Sequence, residues 1–133
     1  MKIGTIQSNF LPWRGYFDFI REVDLFIIHD DIQYTKGDWR NRNKIKTPRG
    51  AQWITVPVHY NQTSQLIEET RIDNSKPWAN SMLNRIRNSY QNATCFEPYF
   101  SELSDLLLEP AATISDLNLR LIQWACSHLE INT

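Results

Sequence analysis

The scarcities of this sequence are its first information. Its 133 residues hold two cysteines, Cys95 and Cys126. Such a pair makes neither a disulfide framework nor a metal-ligand spacing, and a reduced, cytoplasmic setting is expected. Neither sign of charge is in surplus: 14 Lys and Arg stand against 15 Asp and Glu, for a net charge of -1. Dedicated nucleic-acid binders carry a basic excess, so a nucleic-acid partner is not expected. No apolar run approaches the roughly 20 residues of a membrane span. Met1-Lys2-Ile3-Gly4 leads straight into a strand-like pattern, so no signal peptide is expected. Phosphate-loop, Gly-x-Ser-x-Gly, His-Glu-x-x-His and dinucleotide fingerprints are missing, as are internal repeats and low-complexity segments.

What is present is an ordinary globular composition, 41% apolar and 22% charged, of a length for one domain and one core. Aromatics are plentiful: five Trp, five Tyr and six Phe, several of them next to Arg, Asn and Asp. Lys2 to Gln7 reads as a short strand, Ser8 to Arg14 as a Pro12-bearing loop, and Gly15 to Glu22 as an amphipathic helix. Leu25-Phe26-Ile27-Ile28 is the continuous apolar run of a buried parallel strand. Together these make a βαβ unit. Asn43–Thr47 and Gln52–Val58 read as a hairpin around Pro48-Arg49-Gly50-Ala51, and Leu66–Ile72 as a further strand. Helical periodicity then takes over near Trp78–Gln91, after Pro98, and over Ser115–Leu129, where Thr113 or Ser115 supplies the cap.

The expected fold is α/β: a short parallel or mixed sheet begun by the βαβ unit, then a hairpin and two to three helices. Residues 1–75 carry the α/β part and 76–129 the helices. Glu130-Ile131-Asn132-Thr133 looks like the first half of another strand, so the single domain over 1–133 is expected to be incomplete at its C-terminal end. Apolar surface left uncovered would then be exposed or pair two copies as a homodimer.

Three clusters carry possible chemistry. The first, Gln7 to Phe17, follows the first strand and opens the first helix, where an open α/β sheet binds ligands. A helix N-terminus favours an anion there. Gly15 permits close backbone approach and Arg14 offers a two-pronged phosphate or carboxylate donor. Gln7 and Asn9 are polar orienting groups, with Trp13 and Tyr16 beside them. The alternative is a Pro12-stiffened turn whose Phe10, Leu11 and Phe17 fill the core. The second cluster, His29-Asp30-Asp31-Ile32-Gln33-Tyr34, ends the second strand. Paired carboxylates bind Mg2+ through water or divide acid and base roles, and His29 shuttles protons. Alternatively one Asp caps a turn and the other is solvated. No metal ligands beyond these are identifiable. The third cluster runs from Lys36 to Lys44. Arg40, Arg42 and Lys44 have the spacing of one strand face, Asn41 and Asn43 of the other. Arg forks, Asn amides and the Trp39 indole suit phosphate, carboxylate or sugar, or single-stranded RNA. A charged strand edge that resists aggregation is the structural alternative. Cys95 and Cys126 lack an activating base, and His128 is expected on a helix surface.

The segments Gln7-Ser8-Asn9-Phe10-Leu11-Pro12-Trp13-Arg14-Gly15-Tyr16-Phe17, Asp24-Leu25-Phe26-Ile27-Ile28-His29-Asp30-Asp31-Ile32-Gln33-Tyr34, Trp39-Arg40-Asn41-Arg42-Asn43 and Trp53-Ile54-Thr55-Val56-Pro57-Val58, in that order, resemble the WbqC-like proteins. Ser8 departs from many of these relatives, which have proline there. The resemblance implies a bacterial protein of O-antigen and other surface-polysaccharide biosynthesis, in a family suggested to include glycine transferases, with members much longer than this chain. It implies a sugar or sugar-nucleotide intermediate and an amino-acid or acyl donor as partners. More remotely, a strand, a Pro-bearing loop and Gly at a helix start look like the nucleotide entry of class I synthetase-like folds. ATP or another nucleotide with Mg2+ is the cofactor this implies, although Trp13, Arg14 and Tyr16 stand where those sites use histidines.

The leading expectation is therefore an aminoacyl or acyl transferase. Arg14, Arg40 and Arg42 hold a phosphate or carboxylate; His29, Asp30 and Asp31 serve cation binding or proton transfer. Gln7, Asn9, Gln33, Asn41 and Asn43 orient the acceptor, with Trp13, Gly15, Tyr16 and Trp39 around it. A non-catalytic module for a sugar nucleotide or phosphate ligand is the second expectation, and an RNA-binding protein the third.

Overall fold

The computed structural model describes residues 1–133. Strand β1 (Ile3–Ile6), helix α1 (Arg14–Arg21) and strand β2 (Leu25–Ile28) form the βαβ unit. The two strands pair in parallel, with Ile3 opposite Leu25 and Ile6 opposite Ile28. Strands β3 (Arg42–Thr47) and β4 (Gly50–Thr55) form a separate antiparallel hairpin. Its two-residue turn is Pro48-Arg49, and Gly50 takes φ +96°, a backbone that side chains resist. Helices α2 (Trp78–Tyr90), α3 (Phe96–Leu108) and α4 (Ile114–His128) complete an α/β fold. No helix is long and apolar enough to cross a membrane.

The helix ends follow local chemistry. Pro98 sits in the first turn of α3, where its missing N–H costs nothing. Thr113 caps α4 by accepting the Asp116 N–H at 3.1 Å, and Ser115 is free for another task. The hairpin stops at Thr55, short of the expected Val58, because Pro57 has no N–H to give a ladder.

Two expected strand segments differ. Leu66–Ile72 holds one 3-10 turn, Ile67–Glu69, flanked by isolated bridges from Leu66 to Gln33 and from Ile72 to Val58. Side chains compete with ladder formation here: the Glu69 carboxylate accepts the Leu66 N–H at 3.2 Å, and the Thr70 hydroxyl donates to the Leu66 carbonyl at 2.8 Å. Glu130–Thr133 is no strand. Glu130 turns the chain at φ +56°, and the Ile131 N–H reaches back to the Cys126 carbonyl at 2.9 Å, a helix-closing turn.

Two cores result. The larger gathers Phe10, Tyr34, Ile54, Val56 and the inner faces of α2 and α3. The smaller packs Tyr16, Phe17 and Ile20 of α1 against Ile122 and Ile131. Helix α4 serves both, giving Leu117 and Leu121 to the first and Ile122 to the second. The loop after β1 and the segment before β3 meet on that shared helix.

Candidate functional site

The loop after β1 is laced down residue by residue. The Ser8 N–H donates to Asp30 Oδ1 at 2.8 Å, and the Ser115 hydroxyl donates to Asp30 Oδ2 at 2.6 Å. Asn118 Nδ2 donates to Ser8 Oγ at 3.0 Å and to the Arg40 carbonyl at 2.8 Å. Ser8, Asp30 and Asn118 are all buried, so this is an interior joint between β1, β2, α4 and the segment before β3. Tyr16 donates to the Gln7 carbonyl at 3.0 Å. Burial pushes the Tyr16 phenol well above its ordinary value, and the nearby Asp30 charge adds to the rise.

The next residues are tied to the hairpin. The Phe10 N–H donates to the Trp39 carbonyl at 3.0 Å. Arg40 Nη1 donates to Asn9 Oδ1 and to the Ser8 carbonyl, while its Nη2 lies 3.6 Å from Asp38. Asn43 Nδ2 donates to the carbonyls of Leu11 at 2.6 Å and Phe10 at 3.3 Å. Leu11 has φ +45° immediately before Pro12. A branched residue preceding proline strongly resists that conformation, so the Asn43 amide holds a strained peptide in place.

Beside this loop lies a cleft of about 370 Å³ lined by Asn9, Pro12, Trp13, Trp39 and Asn43. Two indoles form its walls. Trp13 is 71% exposed and Trp39 45%, high values for tryptophan. The Trp13 ring folds down on Gly15, where a Cβ would come within 2.1 Å of it. The close approach that Gly15 permits is thus made by the chain's own indole. Trp39 leans on Trp53 of β4, ring centroids 5.2 Å apart. The Arg42 guanidinium lies 4.0 Å and the Lys44 ammonium 4.9 Å from the centre of the Trp53 ring.

The first and third clusters therefore meet directly, and Asn9, Trp13, Trp39 and Asn43 share one cavity. The second joins them through buried Asp30 and through Tyr34, which shares the larger core with Phe10. His29 and Asp31 pair with each other at 3.1 Å in solvent, and Gln33 is an exposed residue whose backbone bridges to Leu66. Arg14 is exposed and lies 3.5 Å from Asp18 one turn along α1. Asn41 is buried, donating to the Val56 carbonyl at 2.9 Å. No three His, Cys, Asp or Glu side chains gather where they could hold a metal ion, and both Asp30 oxygens already accept protein hydrogen bonds.

Sequence reasoning overlooked the roles of Ser8, Ser115 and Asn118. For Asn118 a signal existed: it falls among Leu117, Leu121 and Ile122 on the apolar stripe of α4, where a polar residue needs a buried partner.

The family model for the WbqC-like protein family matches residues 7–133. The uncharacterized protein Rv1507c of Mycobacterium tuberculosis is 48% identical over 134 residues, which cover 99% of this chain and 58% of that protein. This chain thus spans less than two thirds of that relative's length. No solved structure matches.

Proposed function

The chain belongs to the WbqC-like protein family, and we propose that it handles a sugar intermediate of bacterial surface-polysaccharide biosynthesis. In this reading the Trp13–Trp39 cleft holds the sugar to which an aminoacyl (glycyl) or acyl group is transferred. One observation carries it: two exposed indoles face a cavity with two side-chain amides, Asn9 and Asn43, in its lining. An indole offers the flat apolar surface that a pyranose C–H face needs. With its oxygen held by Arg40, the Asn9 amide keeps its Nδ2 to donate to a sugar hydroxyl, while Asn43, engaged at both nitrogen and oxygen, shapes the lining. The cavity suits one or two sugar units in size. Arg40 holds Asn9 by its oxygen and Asn43 is spent on the loop carbonyls, so both amides are oriented before a ligand arrives. The chain's own residues bind and orient the acceptor.

A second reading, a binding module without turnover, is favoured by the engagement of Asp30. Its carboxylate is committed to Ser8 and Ser115, and Asp31 and His29 are not among the residues lining the cleft. Two experiments separate these readings. Calorimetric titration with surface-glycan sugars is expected to show binding that Trp13→Ala and Trp39→Ala each weaken by about tenfold or more, with circular dichroism unchanged. Incubation with labelled glycine, ATP and Mg2+ tests transfer to the bound sugar. Binding without product selects the module, and sugar affinity indifferent to both substitutions removes the cleft from either reading.

A further inference from the structure

We infer that the outer face of the hairpin beside the cleft is a seat for a diphosphate ester, with Arg42 and Lys44 as its cations and Trp53 as its floor. This rests on the sugar-cleft reading and names the chemical class of the ligand: a sugar carried on a diphosphate.

Arg42 and Lys44 are two residues apart on β3, so they project from the same face of the strand, and Lys44 stands opposite Trp53 in the ladder. Both charges lie over one indole, at 4.0 and 4.9 Å from its centre. Cation–π attraction fixes each of them, yet the two like charges repel each other. Neither has a carboxylate within 4.0 Å, since every ion pair of the molecule is made elsewhere. Asp38, the acid adjacent in sequence, is drawn to Arg40. The Arg42 side chain is pinned by donation from Nη2 to the Gly37 carbonyl, and its Nε is buried with no acceptor. A pinned guanidinium loses little freedom on binding and keeps its Nη1 to donate to a phosphate oxygen, while Lys44 adds a point charge. An anion bridging the two removes their repulsion.

The cation pair also adjoins the cleft. Trp39 touches Trp53 at a centroid distance of 5.2 Å and also lines the cleft. The cleft and the cation pair thus adjoin through the Trp39–Trp53 contact, so that one ligand seated against Trp39 has Arg42 and Lys44 beyond Trp53. Arg40, expected from the sequence to hold phosphate, is only 12% exposed in its side chain and committed to Asn9, Ser8 and Asp38. Arg14 lies next to Asp18.

The test uses inorganic pyrophosphate, so that it does not depend on the sugar. Pyrophosphate titrated into the whole chain is expected to shift the Trp53 indole N–H resonance saturably. Lys44→Gln, an exposed substitution that leaves the core alone, is expected to weaken the effect about tenfold, and Arg42→Gln at least as much. A Trp53 resonance that stays still up to about 10 mM pyrophosphate, a concentration far above a useful affinity, overturns the seat, as does a titration unchanged by Lys44→Gln. Failure of the sugar-cleft reading looks different: pyrophosphate moves Trp53 while no sugar moves Trp13. Uridine diphosphate distinguishes the carriers. Tighter binding than pyrophosphate assigns a nucleotide, and equal binding assigns the diphosphate alone, as on a lipid carrier.

Discussion

The two small sheets of this protein solve opposite problems. In the β3–β4 hairpin the inner face, with Ile45 and Ile54, enters the larger core, and the outer face carries Arg42, Lys44 and Trp53. An antiparallel pair tolerates one wet face, and this one dresses that face with charge and an indole. In the β1–β2 pair, Ile6, Phe26 and Ile28 pack toward α1 and α4, while Ile3, Leu25 and Ile27 are 58%, 47% and 45% exposed on the other face. Parallel sheets normally bury both faces. The hairpin's outer face is thus dressed by its own charged and aromatic side chains, whereas the outer face of β1–β2 presents apolar surface to solvent.

The largest expected effect probes that asymmetry. Ile54→Ala, at a residue 1% exposed, is expected to cost about 2–5 kcal/mol in urea unfolding. Ile27→Ala, at the same type of residue on the other sheet, should cost under about 1 kcal/mol. Equal costs would mean that something covers the outer face of β1–β2 in solution, and the comparison would break.

Next comes the joint between the regions. Asp30→Ala strands the buried Ser8 N–H and deprives Ser115 of its acceptor, which should cost about 1–3 kcal/mol. A neutral result in thermal melts would mean that the joint is not what holds the first loop. Asn43→Ala frees the Leu11 and Phe10 carbonyls, and a loss of about 1–2 kcal/mol is expected, with weaker sugar binding at the cleft. Loss of stability with intact binding would detach Asn43 from the site.

The smallest effect is a pH dependence. Tyr16 has its phenol raised above the ordinary 10.0 by burial and by Asp30. The unfolded chain then releases this proton at lower pH than the folded one. Stability is full below about 10 and falls as pH rises beyond it. Burial raises the Tyr34 phenol too, so absorbance of phenolate during alkaline titration should show two late-ionising tyrosines, Tyr16 and Tyr34. Tyr16→Phe should soften the alkaline slope.

Much of the βαβ unit was legible because a continuous apolar run, Leu25 to Ile28, and the short spacing from β1 leave few other pairings. The same reasoning failed at Leu66–Ile72, where the pattern is strand-like but Glu69 and Thr70 satisfy the local backbone. At the site, alternation placed Arg40, Arg42 and Lys44 on one face. The strand begins only at Arg42, so Arg40 escapes the alternation and turns in toward Asn9. The joint of Asp30, Ser115 and Asn118 with Ser8 was illegible, because hydrogen bonds between residues so distant in sequence leave no local periodicity. Trp13 and Trp39 stood out as aromatics among polar residues, but that they line one cleft follows from the hydrogen bonds joining the loop after β1 to the segment before β3, which no propensity predicts.

The central claim is that the cleft between Trp13 and Trp39 binds a sugar. Its most direct test is a titration of the indole N–H resonances of all five tryptophans with a panel of bacterial surface-glycan monosaccharides. At least one sugar is expected to shift Trp13 and Trp39 together, while Trp78 and Trp124, which lie away from the cleft, stay still. A panel that moves neither Trp13 nor Trp39, or moves Trp124 instead, would contradict it.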